Sequence, residues 1–130
     1  MNKKQLTGSL IIAVMIALFF ILFFAVKQAE NSKVIKVNAG SNFTITLDSN
    51  ATTGYKWEIA NVLDVRLLKL VGSKYIPTKT DIVGAPGKEE WTFKAMAAGK
   101  AVISFKYARP WEKDKPPVQA DSFLIIIKGD

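Results

Sequence analysis

The chain has 130 residues, of which 49% are hydrophobic and 22% charged, and its formal net charge is +7. It contains neither cysteine nor histidine, which excludes a disulfide framework, a thiol nucleophile, an imidazole metal site and a Ser-His-Asp triad. The basic excess is spread along the chain without a block of lysines and arginines, so the charge pattern does not favour nucleic-acid binding.

The first element along the chain is an unbroken apolar run from Leu10 to Val26, preceded by Lys3 and Lys4. As a helix rising about 1.5 Å per residue, it would span roughly 26 Å, slightly less than the hydrocarbon core of a bilayer. Poor cleavage sites after the run favour an uncleaved signal anchor over a cleaved signal peptide. The two lysines favour a cytoplasmic N-terminus. We therefore expect a membrane segment at 1–27, a spacer at 28–33 and an extracytoplasmic domain, which is secreted if the segment is cleaved.

From residue 34 to the end, apolar residues alternate with polar ones at a period of two, which is typical of half-buried β-strands. The last of these runs is apolar on both faces, as in a central strand. Seven short strands separated by turn residues predict an all-β, immunoglobulin-like antiparallel sandwich over 34–130, preceded by a hydrophobic helix. The expected strands lie at 34–37, 42–47, 55–59, within 65–76, and at 91–95, 103–107 and 122–128.

Three connections of this predicted sandwich are long and rich in glycine, proline or small polar residues. They span 48–54, 77–88 and 108–120, whereas the connection Ala97-Ala98-Gly99 is minimal. Because successive strands reverse direction, the three long connections emerge at one end of the sandwich. Loops at one end of a rigid scaffold are where binding usually resides, so we expect the functional site there.

Each of these loops carries a short motif: Asn50-Ala51-Thr52-Thr53-Gly54-Tyr55, Gly84-Ala85-Pro86-Gly87 and Arg109-Pro110-Trp111-Glu112. In this order they resemble the chagasin family of inhibitors of papain-like cysteine proteases. That family carries Asn-Pro-Thr-Thr-Gly-aromatic, Gly-x-Gly-Gly and Arg-Pro-Trp loops. The resemblance covers roughly residues 34–128, which is the whole predicted domain.

Two positions depart from the family pattern. Ala51 stands where the family has proline, and this makes Asn50-Ala51-Thr52 a glycosylation sequon, as is Asn42-Phe43-Thr44. In a eukaryotic secretory pathway, a glycan on Asn50 would obstruct the loop. Pro86 stands where the family has its middle glycine, which fixes one φ angle and removes an N–H. We therefore expect the second loop to meet its target differently.

The resemblance implies a reversible inhibitor that occludes the protease cleft with all three loops. Thr52-Thr53-Gly54 would approach the catalytic cysteine, since small residues permit close contact. The second loop would bind as an extended segment, and Trp111 would stack beside the cleft as a hot spot. Arg109 would brace its loop or pair with an acidic group. The predicted protease-binding residues are Asn50, Thr52, Thr53, Gly54, Tyr55, Gly84, Ala85, Pro86, Gly87, Arg109, Pro110 and Trp111.

These residues also have plainer interpretations. In these interpretations, Trp111 covers the edge of the domain's own core, Arg109 is a solvated loop charge, and the glycines only form turns. Alternating aromatic residues are assigned mainly to the core: Tyr55, Trp57, Trp91 and Phe105.

An enzyme is not expected, because the remaining carboxylate pairs, Glu89-Glu90 and Glu112/Asp114, lie on opposite strand faces or in solvated loops. We expect no cofactor, no metal and a monomer. The alternative function is a membrane-anchored carbohydrate-binding or adhesion module that uses Trp111 and Trp57 as stacking platforms.

Overall fold

The computed structural model of the chain describes residue 9, residues 11–21 and residues 33–129. It divides into two compact units, Met1–Ser32 and Lys33–Asp130. In the first unit, residues 9 and 11–21 are helical. Part of the predicted membrane segment lies outside the described residues, namely Leu10 and residues 22–26. The same holds for Lys3, Lys4 and most of the predicted spacer. Within the described part of the chain, no helix is both long and apolar enough to cross a membrane.

The second unit contains seven strands arranged as a sandwich. They are β1 (Lys33–Asn38), β2 (Asn42–Ser49), β3 (Lys56–Ile59), β4 (Leu68–Ile76), β5 (Gly87–Ala95), β6 (Gly99–Ala108) and β7 (Gln119–Lys128). One sheet has the strand order β1-β7-β6-β3, and the other has the order β2-β5-β4. This confirms the prediction of an all-β, immunoglobulin-like sandwich of about seven strands.

One strand pair departs from the predicted antiparallel arrangement. β1 pairs with β7 in parallel, with Lys33 opposite Phe123 and Asn38 opposite Lys128, whereas the other pairs are antiparallel. The direction of the chain reverses at each connection, so odd-numbered strands all run the same way. The first and seventh strands are therefore parallel once they become neighbours.

Most strands extend further than the apolar alternation predicts, so the three loops are shorter than expected. β5 begins at Gly87 rather than at residue 91, and β2 continues to Ser49. Polar pairs such as Asp48 and Lys88 continue the pairing of β2 with β5 beyond the apolar residues of the two strands. The three connections predicted as long loops are the β2–β3 loop (residues 50–55), the β4–β5 loop (residues 77–86) and the β6–β7 loop (residues 109–118). The β3–β4 connection (residues 60–67), at the opposite end, is longer than the first of them.

The core lies between the inward faces of the two sheets. Strand β2 shows the pattern, since Phe43, Ile45 and Leu47 are buried while the threonines between them are exposed. Trp57 and Phe105 are 3% and 1% exposed, which confirms their assignment to the core. Burying side chains of this size stabilises the fold by roughly 1.5–3 kcal/mol each.

The end of the sandwich away from these three loops holds the short β1–β2 and β5–β6 turns and the β3–β4 connection. Gly40 N donates to Ala95 O over 2.8 Å, and Met96 N donates to Leu67 O over 2.8 Å. Ala39 N donates to Lys128 O over 2.8 Å and ties the first turn to the end of β7. These bonds fix the frame from which the long loops extend at the opposite end.

Candidate functional site

The three long loops contact one another at one end of the sandwich, as the strand directions predict. Asn50 Nδ2 in the β2–β3 loop donates to Gly84 O in the β4–β5 loop over 3.0 Å. Arg109 Nε in the β6–β7 loop donates to Thr53 O over 3.0 Å. The β2–β3 loop is therefore the central one, bonded to a neighbour on each side.

The β2–β3 loop is a single 3-10 turn, Ala51–Thr53, capped by Asn50. Asn50 Oδ1 accepts hydrogen bonds from Thr52 N at 3.1 Å and from Thr52 Oγ1 at 2.6 Å. Thr53 Oγ1 donates to Asn50 O over 2.7 Å. Ala51 occupies the first helical position, where proline also fits, so its presence leaves the turn intact. A glycan on Asn50 Nδ2 would disrupt the hydrogen bond that this amide nitrogen donates to Gly84 O.

Gly54 closes this turn with a φ of +79°, a conformation that glycine adopts at no steric cost. The indole of Trp111 lies directly over its Cα, and a Cβ at this position would collide with the ring. Trp111 is otherwise 65% exposed. Trp111 therefore packs on the neighbouring loop and leaves much of its surface free, unlike a residue that covers the core edge.

Arg109 connects the exposed Trp111 to the aromatic residues below it. Its guanidinium carbon lies 4.4 Å from the centroid of the Tyr55 ring and 6.0 Å from that of Trp111. Nη1 is 3.1 Å from Glu112 Oε1, while Nε holds Thr53 O. Each cation–π contact of this kind contributes about 0.5–1 kcal/mol at an exposed site. Arg109 was expected either to brace its loop or to pair with an acidic group of the target. These contacts agree with the first role.

The stack continues from Tyr55 into the core. Tyr55 and Tyr107 have ring centroids 5.4 Å apart, and Tyr107 stacks on Trp57 at 4.8 Å. Tyr55 was predicted both as a core residue and as a site residue. It is half-buried and joins the core to the loop surface.

Two residues outside the predicted site, Tyr107 and Glu89, hold the β2–β3 loop from below. Tyr107 Oη accepts a hydrogen bond from Asn50 N at 2.9 Å. Glu89 Oε2 accepts from Ser49 Oγ at 2.8 Å and from Trp57 N at 3.2 Å. One carboxylate oxygen thus binds both strands that flank the loop. The signal in the sequence is that Glu89 is polar but occupies the same strand face as the apolar residues of β5.

The β4–β5 loop presents a different set of residues from the predicted one. Gly84, with a φ of +79°, lies in the loop as predicted, but Gly87 is buried as the first residue of β5. A Cβ on Gly87 would lie 2.6 Å from Ile76 O and would also collide with the Tyr75 hydroxyl. The absence of a side chain at Gly87 is therefore required by packing, and Gly87 belongs to β5 rather than to the loop predicted at 77–88.

The outer part of this loop carries two exposed apolar residues that the motif comparison missed. Ile82 is 72% exposed and Val83 is 98% exposed. Pro86 O accepts a hydrogen bond from Thr78 Oγ1, which joins the two ends of the loop. Ala85 N also donates to Ile82 O over 3.4 Å. The loop therefore offers an apolar tip supported by bonds within itself.

Charged residues at this end pair mainly with one another. Lys88 Nζ lies 2.7 Å from Asp48 Oδ1, and this hydrogen bond, with the lysine charge, lowers the pKa of Asp48 below its ordinary value. Because Asp48 is fully solvated, such a pair contributes little to stability. Among the residues described, no cluster of three or more acidic side chains has the geometry of a metal site.

Comparison with known proteins distinguishes between the inhibitor and the carbohydrate-binding alternative. The model of the family described as "Chagasin family peptidase inhibitor I42" matches residues 36–127. The chain belongs to the chagasin family. This confirms the resemblance predicted from the loop motifs, and it confirms that the chain is a protein inhibitor of peptidases and not an enzyme.

Individual relatives agree with this assignment. Chagasin from Trypanosoma cruzi is 29% identical over 108 residues, covering 81% of this chain and 96% of chagasin. The crystal structure of EhICP2, a cysteine protease inhibitor from Entamoeba histolytica, superposes with a TM-score of 0.66 at 25% identity, covering 78% of this chain and 91% of that one. The structure described as "Leishmania mexicana ICP" gives a TM-score of 0.55 at 30% identity, covering 75% of this chain and 90% of that one. The matched family region, residues 36–127, and the core cluster both lie within the compact unit of residues 33–130.

Proposed function

We propose that this chagasin-family inhibitor blocks papain-like cysteine proteases reversibly by inserting the three-loop end of its sandwich into the active-site cleft. The observation that carries this proposal is the direct bonding of all three loops into one surface, with Thr52 and Thr53 exposed at its centre. The similarity to EhICP2, which is described as a cysteine protease inhibitor, supports the class of target. In this proposal, residues 52–54 form a wedge, the part of the surface that lies nearest the catalytic cysteine of the protease.

The central loop is held in one conformation before it meets a protease. Asn50 and Thr53 close the turn, Tyr107 fixes its start, and Arg109 and Trp111 cover its end. Ordering a flexible segment on binding would reduce affinity, and a loop ordered in advance avoids that cost. The same closed turn differs from the extended backbone of a substrate, so we expect the loop to be cleaved slowly or not at all.

The flanking loops supply apolar contacts on both sides of this wedge. Ile82 and Val83 are exposed on one side, and Trp111 is exposed on the other. Aromatic and aliphatic side chains that become fully buried contribute most of the energy of protein interfaces. We infer that these residues contact the walls of the cleft, while Arg109 acts mainly through Thr53 and Tyr55.

Titration of papain with residues 33–130 tests this function. We expect loss of activity at one inhibitor per enzyme, recovery of activity on dilution, and an interface of about 1,600 Å² in total. The inhibitor should be recovered uncut between Thr52 and Tyr55, which electrophoresis or mass spectrometry would show. Cleavage there at the rate of a substrate contradicts the mechanism. Absence of inhibition together with retention on a polysaccharide column would instead support the carbohydrate-binding alternative.

We also propose that residues 10–26 act as a signal anchor and that the inhibitory domain is extracytoplasmic and monomeric. The apolar run after Lys3 and Lys4 supports this topology. A protease added to intact cells or spheroplasts is expected to digest the domain while cytoplasmic markers survive. Full protection of the domain behind an intact membrane would contradict the proposed topology.

A further inference from the structure

The outer face of the four-stranded sheet carries an apolar stripe that no other described part of the domain covers. In the strand register, Val34 of β1, Leu124 of β7 and Val102 of β6 lie side by side. Val34 is 54% exposed and Val102 is 44% exposed, while Leu124 is half-buried. Ile126, two residues further along β7, is also half-buried on this face. This stripe explains why β7 is apolar on both sides although only one side faces the core.

Lysines surround this stripe. Lys36 and Lys100 flank Ile126 directly in the register, and both side chains are exposed. Among the described strand residues on this face, one carboxylate is present, Glu58, which lies 3.8 Å from Lys106. The lysines of this face are Lys36, Lys56, Lys100, Lys106 and Lys128. Five lysines and one glutamate leave a charge of +4 on a single face.

We propose that this face docks on the surface of an anionic phospholipid bilayer. Phosphate groups of lipids attract lysines near the surface, and each lysine strengthens binding roughly five-fold. The apolar stripe between the lysines would enter the boundary between headgroups and acyl chains, as the apolar side of an interfacial helix does. The lysine stems also carry methylene groups that extend along such an apolar surface while the charges remain in water.

The same features disfavour two other occupants. A second copy of the chain would bring two faces of charge +4 together, and this repulsion opposes a symmetric dimer through the sheet. A nucleic acid would match the charge, but its phosphates and sugars offer nothing apolar to cover Val34, Val102 and Leu124. A lipid surface satisfies both the charge and the apolar stripe.

Docking through this face leaves the inhibitory loops free. Lys36 and Lys100 lie near the end of β1 and the start of β6, at the end of the sandwich opposite the three loops. Ile126 is seven residues along β7 from its loop end at Gln119, which corresponds to roughly 23 Å of extended strand. The domain would thus bind a bilayer with one sheet while its loop end remains open to a protease.

Vesicle binding by residues 33–130 tests the proposal, because this unit contains the whole core and the family match. We compare vesicles of equal phosphatidylglycerol and phosphatidylcholine with vesicles of phosphatidylcholine alone, at about 0.1 M salt, where charges interact over about 10 Å. The wild-type domain is expected to bind the anionic vesicles at least about ten-fold more tightly. Lys36→Glu/Lys100→Glu is expected to weaken that binding by at least about 20-fold.

The matched control reverses two lysines on the other sheet. Lys69 and Lys94 are register partners on β4 and β5, and both are exposed. Lys69→Glu/Lys94→Glu changes the net charge by the same amount and is expected to weaken vesicle binding by less than about three-fold. Both double variants should inhibit papain like the wild type, which would show that they are folded. Vesicle binding is measured separately from inhibition, so either proposal can fail without the other.

Three results would overturn the assignment. The first is an equal loss of vesicle binding in the two double variants, which would mean that only net charge matters. The second is equal binding of the wild type to neutral and anionic vesicles. The third is tighter binding of a 20-base-pair DNA duplex than of anionic vesicles, with the same dependence on Lys36 and Lys100.

Discussion

Replacement of Trp57 by alanine is expected to lower the free energy of unfolding by about 3–5 kcal/mol. Trp57 is 3% exposed, stacks on Tyr107 at 4.8 Å, and donates Nε1–H to Asp48 O over 2.9 Å. Its removal leaves a cavity between the sheets and an unsatisfied carbonyl beneath the β2–β3 loop. Since a domain of this size has only about 5–15 kcal/mol of stability, chemical denaturation should show a large shift of the midpoint.

Trp57→Phe serves as the control for this variant. It keeps an aromatic ring against Tyr107 and loses the indole N–H, so we expect it to cost less than the alanine variant. Inhibition by either variant should fall only in proportion to the unfolded fraction. A Trp57→Ala domain as stable as the wild type would mean that this residue does not belong to the core.

Replacement of Trp111 by alanine is expected to have the opposite pattern. Protease binding should weaken by about 2–4 kcal/mol, or roughly 30- to 1,000-fold, which is the range for a central aromatic anchor. The melting temperature should change little, because Trp111 is 65% exposed and packs mainly on Gly54 and Arg109 within the loops. The measurements are the inhibition constant against papain and the thermal midpoint of each variant.

A contradictory outcome for Trp111 is equally specific. If Trp111→Ala melts many degrees earlier and inhibits normally while it is folded, the residue belongs to the scaffold and the binding surface is wrongly placed. Arg109→Lys adds information, because lysine keeps the charge but cannot hold Thr53, Glu112 and the Tyr55 ring together. We expect it to weaken inhibition through the conformation of the β2–β3 loop.

The strand pattern predicted the seven-stranded sandwich but not the parallel pairing of β1 with β7. The alternation of Phe43, Ile45 and Leu47 with exposed threonines determines which face of β2 is buried, and strand parity places the long loops together. β4 was harder to place, because nearly all of its residues are exposed and its bulge at residues 70–72 breaks the period. The start of β5, residues 87–90, was missed because it is not part of the apolar alternation and is held by cross-strand pairing with β2 and β4.

The grouping of the three loops at one end was predicted, but the contacts that support them were not. The motifs located the three loops, yet the pattern does not show that Glu89, far along the chain, binds both strands that flank residues 50–55. Gly84 and Gly87 look alike in the sequence, whereas only the first has the positive φ of a loop glycine. Such distinctions depend on which strands become neighbours, and a local pattern does not encode them.

The central claim is that the end of the sandwich formed by the three loops is the surface that enters the protease. Hydrogen–deuterium exchange of residues 33–130, alone and bound to catalytically inactive papain, tests this most directly. We predict slower exchange in residues 50–55, 77–86 and 109–118, with the strongest effect in the first, and unchanged exchange in β1 and at the turns of the opposite end. Protection confined to the sheets, with residues 50–55 exchanging as in the free domain, would contradict the account.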